Sequence, residues 1–509
     1  MSNTDSNPIS TVYSRRQVLG AASLVAASTA FRPVMAATKN PSPVSAAPEW
    51  MTLLGRSEQG GRDYEPQVEG NLPSSIKGVL YRNGPGKFET GDHRINHLLD
   101  GDGLVQKLSI QNGKPQYSNA FVRTEKFLEE EAQQKALHAT WSTRRPGGML
   151  ANLGGGVDHS QAGVTVYPVN NRLVARDEAG PSYVLDPDTL ATLGKMDVAN
   201  SSTAVGYKAH SKFDPATGDY ILAGQEFGPS MKIHTAVYND FNLKSHQVFT
   251  APRQVYLHDF FVSKNYFAFI LHPCNFSPWK FLLGLRSFTD SLRWQAADGN
   301  IIALHPRAGG KTLYFEAPSS FMWHSLNAFE QGNNVILDFI GYDEPDHFIG
   351  EDALFKNIMH GQLGRAQSPG KIRRYKIDLN KHKLLEEIVD SENHEFPALD
   401  PNFSMQNQEV AYFAWSGLGA FNSGLKRLNY KTGMTQTFDF GSNTQVGEPI
   451  YVPDSNPKNG WIISQCLDGT SQRTFFAVFE AANIKKGPVA KIWLHHHVPI
   501  SFHGAWQNA

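Results

Sequence analysis

The sequence predicts an all-β protein, built as a single β-propeller of about seven blades. Three observations lead to this prediction. One strand–turn–strand pattern recurs seven times along the chain, long amphipathic helices are hard to find between the repeats, and no stretch after residue 48 has the composition of a domain boundary. A sandwich combined with a barrel is the structural alternative.

Each repeat is an alternating strand, a polar turn and a second strand, which is the pattern of a β-hairpin. The starts of successive hairpins are separated by 76, 53, 66, 72, 53 and 50 residues, which leaves room for a four-stranded blade with its loops. In a propeller the innermost strands line the axis, and the loops gather on one face. The seven hairpins are Lys107–Val122, Tyr183–Val198, Ala236–Phe249, Ile302–Glu316, Arg374–Val389, Arg427–Phe440 and Ala477–Leu494.

The composition is that of a globular protein. Of the 509 residues, 40% are hydrophobic, and 47 Lys and Arg stand against 48 Asp and Glu. The chain can therefore bury a large core, and it lacks the basic excess that binding to nucleic acid needs. Cys274 and Cys466 are the two cysteines, so the fold does not depend on a disulfide framework, although the sequence leaves open whether these two pair.

The N-terminus has the features of a twin-arginine export signal. Arg15 and Arg16 precede a modest apolar run, and Val34-Met35-Ala36 forms a small-residue cleavage site. We therefore expect a signal peptide at 1–36, a linker at 37–52 and one propeller domain at 53–509, in the periplasm or an equivalent extracytoplasmic space. The alternative is a disordered tail with a chance arginine pair.

Three histidines occupy the same place relative to the repeat. His210, His258 and His324 each precede a turn and then an apolar strand, so each starts a blade. Equivalent positions on a propeller surround its axis. A fourth, His503, lies beyond the last hairpin, where the chain would close the ring against the N-terminal blade. Four imidazoles can thus converge on one axial point, although 48, 66 and 179 residues separate them in sequence.

An isolated histidine beside aromatic residues is more often a hydrogen-bonded core residue than a ligand, but four in equivalent positions indicate a metal site. Imidazole suits iron, copper, nickel and zinc, so the ligands alone do not name the metal. A set without thiolate or carboxylate favours a redox or Lewis-acid centre over a closed structural zinc site. The tract His495–His497 also looks like a metal motif, but successive side chains of a strand face opposite ways, and we expect strand-end packing or solvent contact there.

The motifs around these residues resemble those of the carotenoid cleavage oxygenases over nearly the whole chain after the signal. The resemblance runs from Tyr81-Arg82-Asn83-Gly84-Pro85-Gly86 and the segment 97–103 through each histidine motif to the segment 502–506. It implies a seven-bladed propeller with a dome of loops and helices over the active-site face, one Fe(2+) per chain and O2 as co-substrate. The family's metal ligands map to His210, His258, His324 and His503.

The same resemblance implies three glutamates that orient ligand imidazoles, Glu178, Glu395 and Glu448. A carboxylate that accepts the distal N–H of a ligand histidine fixes the tautomer and orientation of its ring. The local context of Glu395 and Glu448 matches clearly, while that of Glu178 is weaker, and a surface acid is the alternative for each. No catalytic side chain is implied beyond the metal centre.

The resemblance also bears on the substrate. Relatives that cleave phenolic stilbenes or isoeugenol typically carry a lysine just before the first glutamate, and here that residue is Asp177. The segment Pro278–Arg286 looks like the apolar segment near the tunnel mouth of bacterial apocarotenoid oxygenases. On composition alone, it would also suit an ordinary buried strand or helix. The resemblance thus implies membrane or tunnel-mouth contacts by Trp279, Phe281, Leu282 and Leu283.

We therefore expect O2-dependent cleavage of a carbon–carbon double bond in an apocarotenoid or carotenoid-like polyene, giving two carbonyl products. The alternatives are cleavage of a smaller phenylpropanoid or lignostilbene alkene, isomerisation and hydrolysis of a retinoid ester, and a non-catalytic propeller that binds apolar ligands. We expect an apolar small-molecule substrate and peripheral membrane contact, with no nucleic-acid or protein partner.

Overall fold

The structure, a computed structural model, describes residues 46–157, 159–178, 180–200, 205–416, 421–454 and 459–509. The signal peptide predicted at 1–36 and most of the predicted linker lie outside the described residues. A 3-10 helix, Glu49–Gly55, follows, and its residues Trp50, Leu53 and Leu54 are buried. The predicted boundary at residue 52 therefore falls within an element that packs onto the domain.

Seven antiparallel sheets confirm the predicted all-β, seven-bladed propeller, and each predicted hairpin forms the outer two of the four core strands of one blade. From the axis outwards, blade 1 contains His503–Asn508, Gly78–Asn83, Asp102–Gln111, Lys114–Phe121 and Asp63–Tyr64, with Pro85–Lys87 paired to its third strand. Blade 2 contains Thr165–Val169, Arg172–Arg176, Ser182–Leu185 and Thr192–Met196. Blade 3 contains Val205–Asp214, Asp219–Glu226, Lys232–Asn239 and Asn242–Thr250.

The remaining blades follow in chain order. Blade 4 contains Phe261–Val262, Tyr266–Leu271, Asn300–Pro306 and Leu313–Ala317. Blade 5 contains Phe321–Gln331, Asn334–Tyr342, Lys371–Asp378 and Lys383–Asp390. Blade 6 contains Asn393–Ala398, Val410–Ser416, Gly424–Asn429 and Thr435–Asp439. Blade 7 contains Thr444–Pro453, Gly460–Asp468, Arg473–Glu480, Ala490–Trp493 and the added edge strand Gln67–Gly70.

Both ends of the described chain close the ring. The C-terminal strand His503–Asn508 pairs with Gly78–Asn83 and becomes the innermost strand of blade 1, as predicted. In the other direction, the N-terminal strand Gln67–Gly70 pairs with Ala490–Trp493 at the outer edge of blade 7. The junction between the first and last blades is therefore held by main-chain hydrogen bonds in two places.

Burial explains why these segments are strands. The second strand of blade 4, Tyr266–Leu271, is buried along nearly its whole length, because both faces of an inner strand pack against neighbouring blades. The outermost strand of blade 3, Asn242–Thr250, instead alternates between partly buried and exposed residues. This period of two is the signal that predicts the hairpins from sequence.

Three long connections, 122–164, 272–299 and 343–370, meet over one face and form the dome that the resemblance implies. No helix among the described residues has the length and apolar character needed to cross a bilayer. The dome contains helices α1 (Glu125–Gln133), α2 (Gly148–Ala151), α3 (Pro278–Leu282) and α4 (Leu354–Asn357), the 3-10 helices Thr289–Ser291, Ala296–Asp298 and Ile358–His360, and the ribbon Cys274–Phe276 with Leu292–Trp294. A second ribbon pairs Glu89–Thr90 with His93–Arg94, and two further 3-10 helices are Pro401–Phe403 and Ile484–Lys486.

Candidate metal centre

The four predicted ligand histidines come together on the propeller axis. His210, His324 and His503 lie on the innermost strands of blades 3, 5 and 1, and His258 lies just before the innermost strand of blade 4. The strand register shifts close to His210 and again close to His324. Such irregularities change the direction of a side chain, so they help to turn these imidazoles towards the axis.

The geometry of the four rings fits one metal ion. All four rings are buried, and each offers a nitrogen within 4.8 Å of the others. The Nε2 atoms of His210 and His258 are 3.0 Å apart. Two nitrogens bound about 2.1 Å from one ion at a right angle would be separated by about 3 Å. The spacing and the nitrogen-only donor set therefore suit a mononuclear site with open coordination positions.

Burial keeps part of this set in the neutral form that binds metal. It lowers the pKa of His210 well below its usual value, and the neighbouring histidines add to this effect. Burial likewise lowers the pKa of His503 to about 4. For His324, burial lowers the pKa, but the charge and hydrogen bond of Glu395 outweigh burial, so the pKa is raised overall.

Each predicted glutamate contacts the Nδ1 atom of a different histidine. Glu178 Oε1 lies 3.0 Å from Nδ1 of His258, and Glu448 Oε1 lies 2.9 Å from Nδ1 of His503. Glu395 makes the corresponding contact with His324. A carboxylate on Nδ1 directs the Nε2 lone pair towards the axis. In the described part of the chain, His210 has no such carboxylate partner.

Two of the glutamates are themselves held by groups that the sequence analysis did not single out. Tyr342 donates its hydroxyl to Glu395 at 2.9 Å. Arg82 donates a guanidinium N–H to Glu448 Oε2 at 2.8 Å, and the backbone N–H of Gly504 donates to the same oxygen at 2.9 Å. Burial raises the pKa of Glu448, but His503 and Arg82 outweigh it and lower the pKa overall, so this carboxylate stays ionised. Arg82 lies in the motif 81–86, which carries part of the family resemblance, but the motif alone did not indicate what Arg82 does.

Two apolar cavities lie on the dome side of the histidines. The inner one, of about 100 Å³, is lined by three of the histidines, among them His258, and by Trp323, Phe355 and Phe396. The outer one, of about 540 Å³, is lined mainly by aromatic and aliphatic side chains. Trp141 borders both cavities. Together they suit an apolar ligand whose one end reaches the metal centre.

Lys208 is a polar feature of the outer cavity that the sequence analysis missed. Its ammonium lies 3.3 Å from Glu178 Oε2 and 5.4 Å from the centre of the Tyr256 ring. Asp177, just before Glu178, offers no cation here, because its carboxylate accepts backbone N–H groups, including that of Gln161 at 2.6 Å. A cation thus reaches this cavity from blade 3.

The segment 278–286 forms the short helix α3 at the rim of the outer cavity. Trp279, Leu282 and Leu283 are exposed by 50%, 37% and 48%. Phe281 is only partly exposed; it lines the cavity together with Leu282 and packs against Phe276, with ring centroids 5.6 Å apart. The alternative of an ordinary buried strand or helix does not describe this helix, because none of its residues is buried. Phe281 faces the cavity.

A second group of exposed apolar residues, on and after α2, lies beside α3. The backbone N–H of Gly154 donates to the carbonyl of Leu282 at 2.7 Å, which joins the two segments. The sequence analysis missed this half, because α2 is too short to show a helical periodicity. We call the whole surface the apolar patch; it consists of Met149, Leu150, Leu153, Trp279, Leu282, Leu283 and Leu285.

Two further sequence features have structural outcomes. Cys274 and Cys466 are both free and buried, which answers the question of their pairing. The tract 495–497 contributes none of the four axial nitrogens. Instead His495 stacks on Tyr64, with ring centroids 4.5 Å apart, and His496 contacts the hydroxyl of the same tyrosine.

A propeller that brings four buried histidines to its axis and places carboxylates behind three of them defines a class of enzyme with one histidine-bound metal. A family model described as retinal pigment epithelial membrane protein matches residues 56–508. The chain belongs to this family, the carotenoid cleavage oxygenases. These are metal-dependent dioxygenases that act on apolar, carotenoid-like substrates.

Similar proteins of known identity span nearly the whole chain. Apocarotenoid-15,15'-oxygenase from Synechocystis sp. is 26% identical over 489 residues, which cover 92% of this chain and 98% of that protein. Isoeugenol monooxygenase from Pseudomonas putida is 26% identical and covers 87% and 95%. The structure of cobalt-substituted Synechocystis apocarotenoid oxygenase superposes with a TM-score of 0.83 at 25% identity, covering 90% of this chain and 98% of that one.

Proposed function

We propose that this chain is an iron(II)-dependent oxygenase that uses O2 to cleave a carbon–carbon double bond of an apocarotenoid or related polyene into two carbonyl products. The observation that carries the proposal is the four-histidine centre opening onto an apolar cavity. Imidazole nitrogens suit iron, and the absence of anionic ligands from this set leaves the charge of Fe(2+) available to the reaction.

Iron(II), when bound, would supply the activation of O2. The residues of the chain orient the centre and keep it dry. Glu178, Glu395 and Glu448 accept the Nδ1 protons of three ligand rings, so each Nε2 stays free to bind metal. Aromatic walls such as Trp323 and Phe396 exclude water from the alkene and so protect the reacting centre from side reactions with water.

Lys208 bears on which alkene is cleaved. A buried ammonium, paired with Glu178 on a mainly apolar wall, favours a ligand with an oxygen-bearing end, such as the aldehyde or alcohol of an apocarotenoid. The same cation favours a phenolic alkene as the second candidate, in keeping with the similarity to isoeugenol monooxygenase. The combined volume of the two cavities, about 100 and 540 Å³, which share Trp141 in their walls, favours the larger substrate.

The decisive experiment compares substrates on the iron-loaded enzyme. A panel of apocarotenals, carotenes, stilbenes and isoeugenol is incubated under air, and the products are identified by mass spectrometry. We expect cleavage of apocarotenals to paired carbonyl products, with oxygen from labelled O2 in them. Products only from the phenolic alkenes would select the second candidate. Ester hydrolysis without labelled oxygen would overturn the proposal, and binding without turnover would leave a non-catalytic propeller.

We further propose that the apolar patch contacts a membrane and that substrate enters from the bilayer. Transfer of a polyene through water would cost about 0.8 kcal/mol for each exposed CH2-sized group, so direct transfer is favoured. The patch adjoins the outer cavity, whose wall contains Leu282 of the patch and its neighbour Phe281. Lys280 and Arg286 lie within the same segment, where they would meet lipid headgroups.

A further inference from the structure

We propose that Glu129, His138 and His159 form a second metal site, for a divalent ion of the zinc class, on the outer side of the dome. The three side chains offer ligand atoms that all lie within 4.8 Å of one another. Nε2 of His138 is 2.7 Å from Glu129 Oε2, and the rings of His138 and His159 have centroids only 3.9 Å apart. Two imidazoles and one carboxylate are the ligands of many open zinc sites.

The scaffold around this cluster is fixed before any ion binds. Glu129 lies on α1, whose N-terminus is capped by Thr124, since its side chain accepts the backbone N–H of Phe127. The next residue, Glu130, is buried, and its Oε1 accepts the backbone N–H of Leu137 at 2.9 Å and of His138 at 3.1 Å. These bonds fold the chain back after α1 and hold His138 beside Glu129. Two of the three ligands are therefore pre-positioned.

The third ligand comes from a different segment. His159 follows a run of three glycines, Gly154, Gly155 and Gly156, all with φ between 73° and 129°. Glycine loses more backbone entropy on ordering than any other residue, so this run has a high cost of fixation. Gly156 and Val157 line the outer cavity. An ion that joins His159 to α1 would therefore restrain one wall of the cavity through which substrate is proposed to pass.

A comparison within the molecule shows why this cluster is chosen. Among the described residues, Asp390, Glu392 and His394 also meet the distance requirement for a metal site. There, however, the ammonium of Lys426 contacts both carboxylates, lying 2.7 Å from Glu392 Oε2. The ammonium of Lys426 therefore already occupies the place that a metal ion would take between Asp390 and Glu392. Among the described residues, no lysine or arginine contacts Glu129, whose carboxylate instead contacts the imidazole of His138.

The test uses the iron-loaded full-length protein. Equilibrium dialysis against Zn²⁺, with metals counted by mass spectrometry, should show one zinc per chain in addition to iron. The additional zinc should be lost in His138→Ala and in His159→Ala, and bound more weakly in Glu129→Gln, a change at an exposed side chain that the fold tolerates. Replacement of all three residues 495–497 by Ala is the matched control and should leave zinc binding unchanged.

Three results would overturn the proposal: unchanged zinc binding in both histidine variants, loss of zinc in the 495–497 control instead, or zinc that enters only by displacing iron. A second readout guards against misfolding. At a zinc concentration that saturates the wild type, zinc should slow amide hydrogen exchange across 153–160 clearly more in the wild type than in Glu129→Gln. An equal slowing in both proteins would also contradict the proposal.

Discussion

Replacement of Glu448 by Gln tests how the metal centre is held in place. One carboxylate oxygen accepts the Nδ1–H of His503, and the other accepts N–H groups of Arg82 and Gly504. Glutamine has nearly the same size but only one acceptor oxygen, and its amide would direct N–H groups at a donor. Arg82 is 1% exposed, and it would keep only carbonyl partners such as Phe502, at 3.1 Å.

The expected loss of stability and the expected loss of metal affinity have different magnitudes. Removing one partner of a buried ion pair costs about 3–5 kcal/mol, and the carbonyls that remain around Arg82 favour the lower end. Removing the carboxylate behind a ligand imidazole costs about 10- to 100-fold in metal affinity or activity. Glu395 is the matched comparison, because its partners are His324, Tyr342 and the N–H of Phe396, with no lysine or arginine among them. We expect Glu395→Gln to cost the same in iron affinity, but only about 1–3 kcal/mol in stability.

Chemical denaturation of the metal-free proteins measures stability, and competition with a chelator measures iron affinity. The double variant Arg82→Met with Glu448→Gln should recover much of the lost stability, because no buried charge remains unpaired. It should not recover iron affinity. Equal destabilisation by Glu448→Gln and Glu395→Gln would refute the role of Arg82, and wild-type iron affinity in both would refute the role of the glutamates.

The remaining predictions concern the ligands, pH, the membrane and export. Replacement of His210, His258, His324 or His503 by Ala should remove most iron and activity, while replacement of all three residues 495–497 by Ala should not. Full iron occupancy in all four single variants would contradict the assignment of these histidines as metal ligands. Burial lowers the pKa of His97 and His272 to about 3, so below pH 6.5 the unfolded state binds protons that the folded state does not. Each histidine should therefore cost about 2 kcal/mol of stability when the pH is lowered from 7 to 5. A midpoint temperature of thermal unfolding that does not decrease from pH 7 to pH 5 would refute this. Replacement of Leu150, Leu153, Trp279 and Leu282 by Ser should weaken vesicle binding and slow cleavage of membrane-dissolved substrate. Iron content is the control, and loss of iron would show that the apolar patch belongs to the hydrophobic core instead. Lysine at Arg15 and Arg16 should retain the precursor in the cytoplasm, and unchanged delivery of mature protein would show that the export prediction is wrong.

Much of the fold follows from the sequence because blades repeat. The outer strands alternate with a period of two, and this local signal located all seven hairpins. The inner strands lack it, because both of their faces are buried. Position relative to the repeat was therefore needed to select His210, His258 and His324 from 19 histidines. That argument worked because equivalent places on a propeller face the same axis.

The supporting groups could not be found in this way. Arg82 and Glu448 meet across 366 residues of sequence, and Lys208 reaches Glu178 from another strand, so neither contact leaves a local pattern. Whether Phe281 faces the cavity or an outer surface could not be read from the sequence, for a related reason. An aromatic residue in a short helix has the same composition whether it faces solvent or a cavity, and only the position of Phe276 decides between them.

The position of His503 ties the metal centre to closure of the ring. This residue is the first of the strand His503–Asn508, which pairs with Gly78–Asn83 and completes blade 1. The other three ligands lie on or beside the innermost strands of blades 3, 4 and 5, so three imidazoles can gather at the axis before the ring closes, but the fourth cannot. A chain that lacks this strand loses a ligand and the innermost strand of its first blade together. Full metal binding therefore reports that the first and last blades have joined.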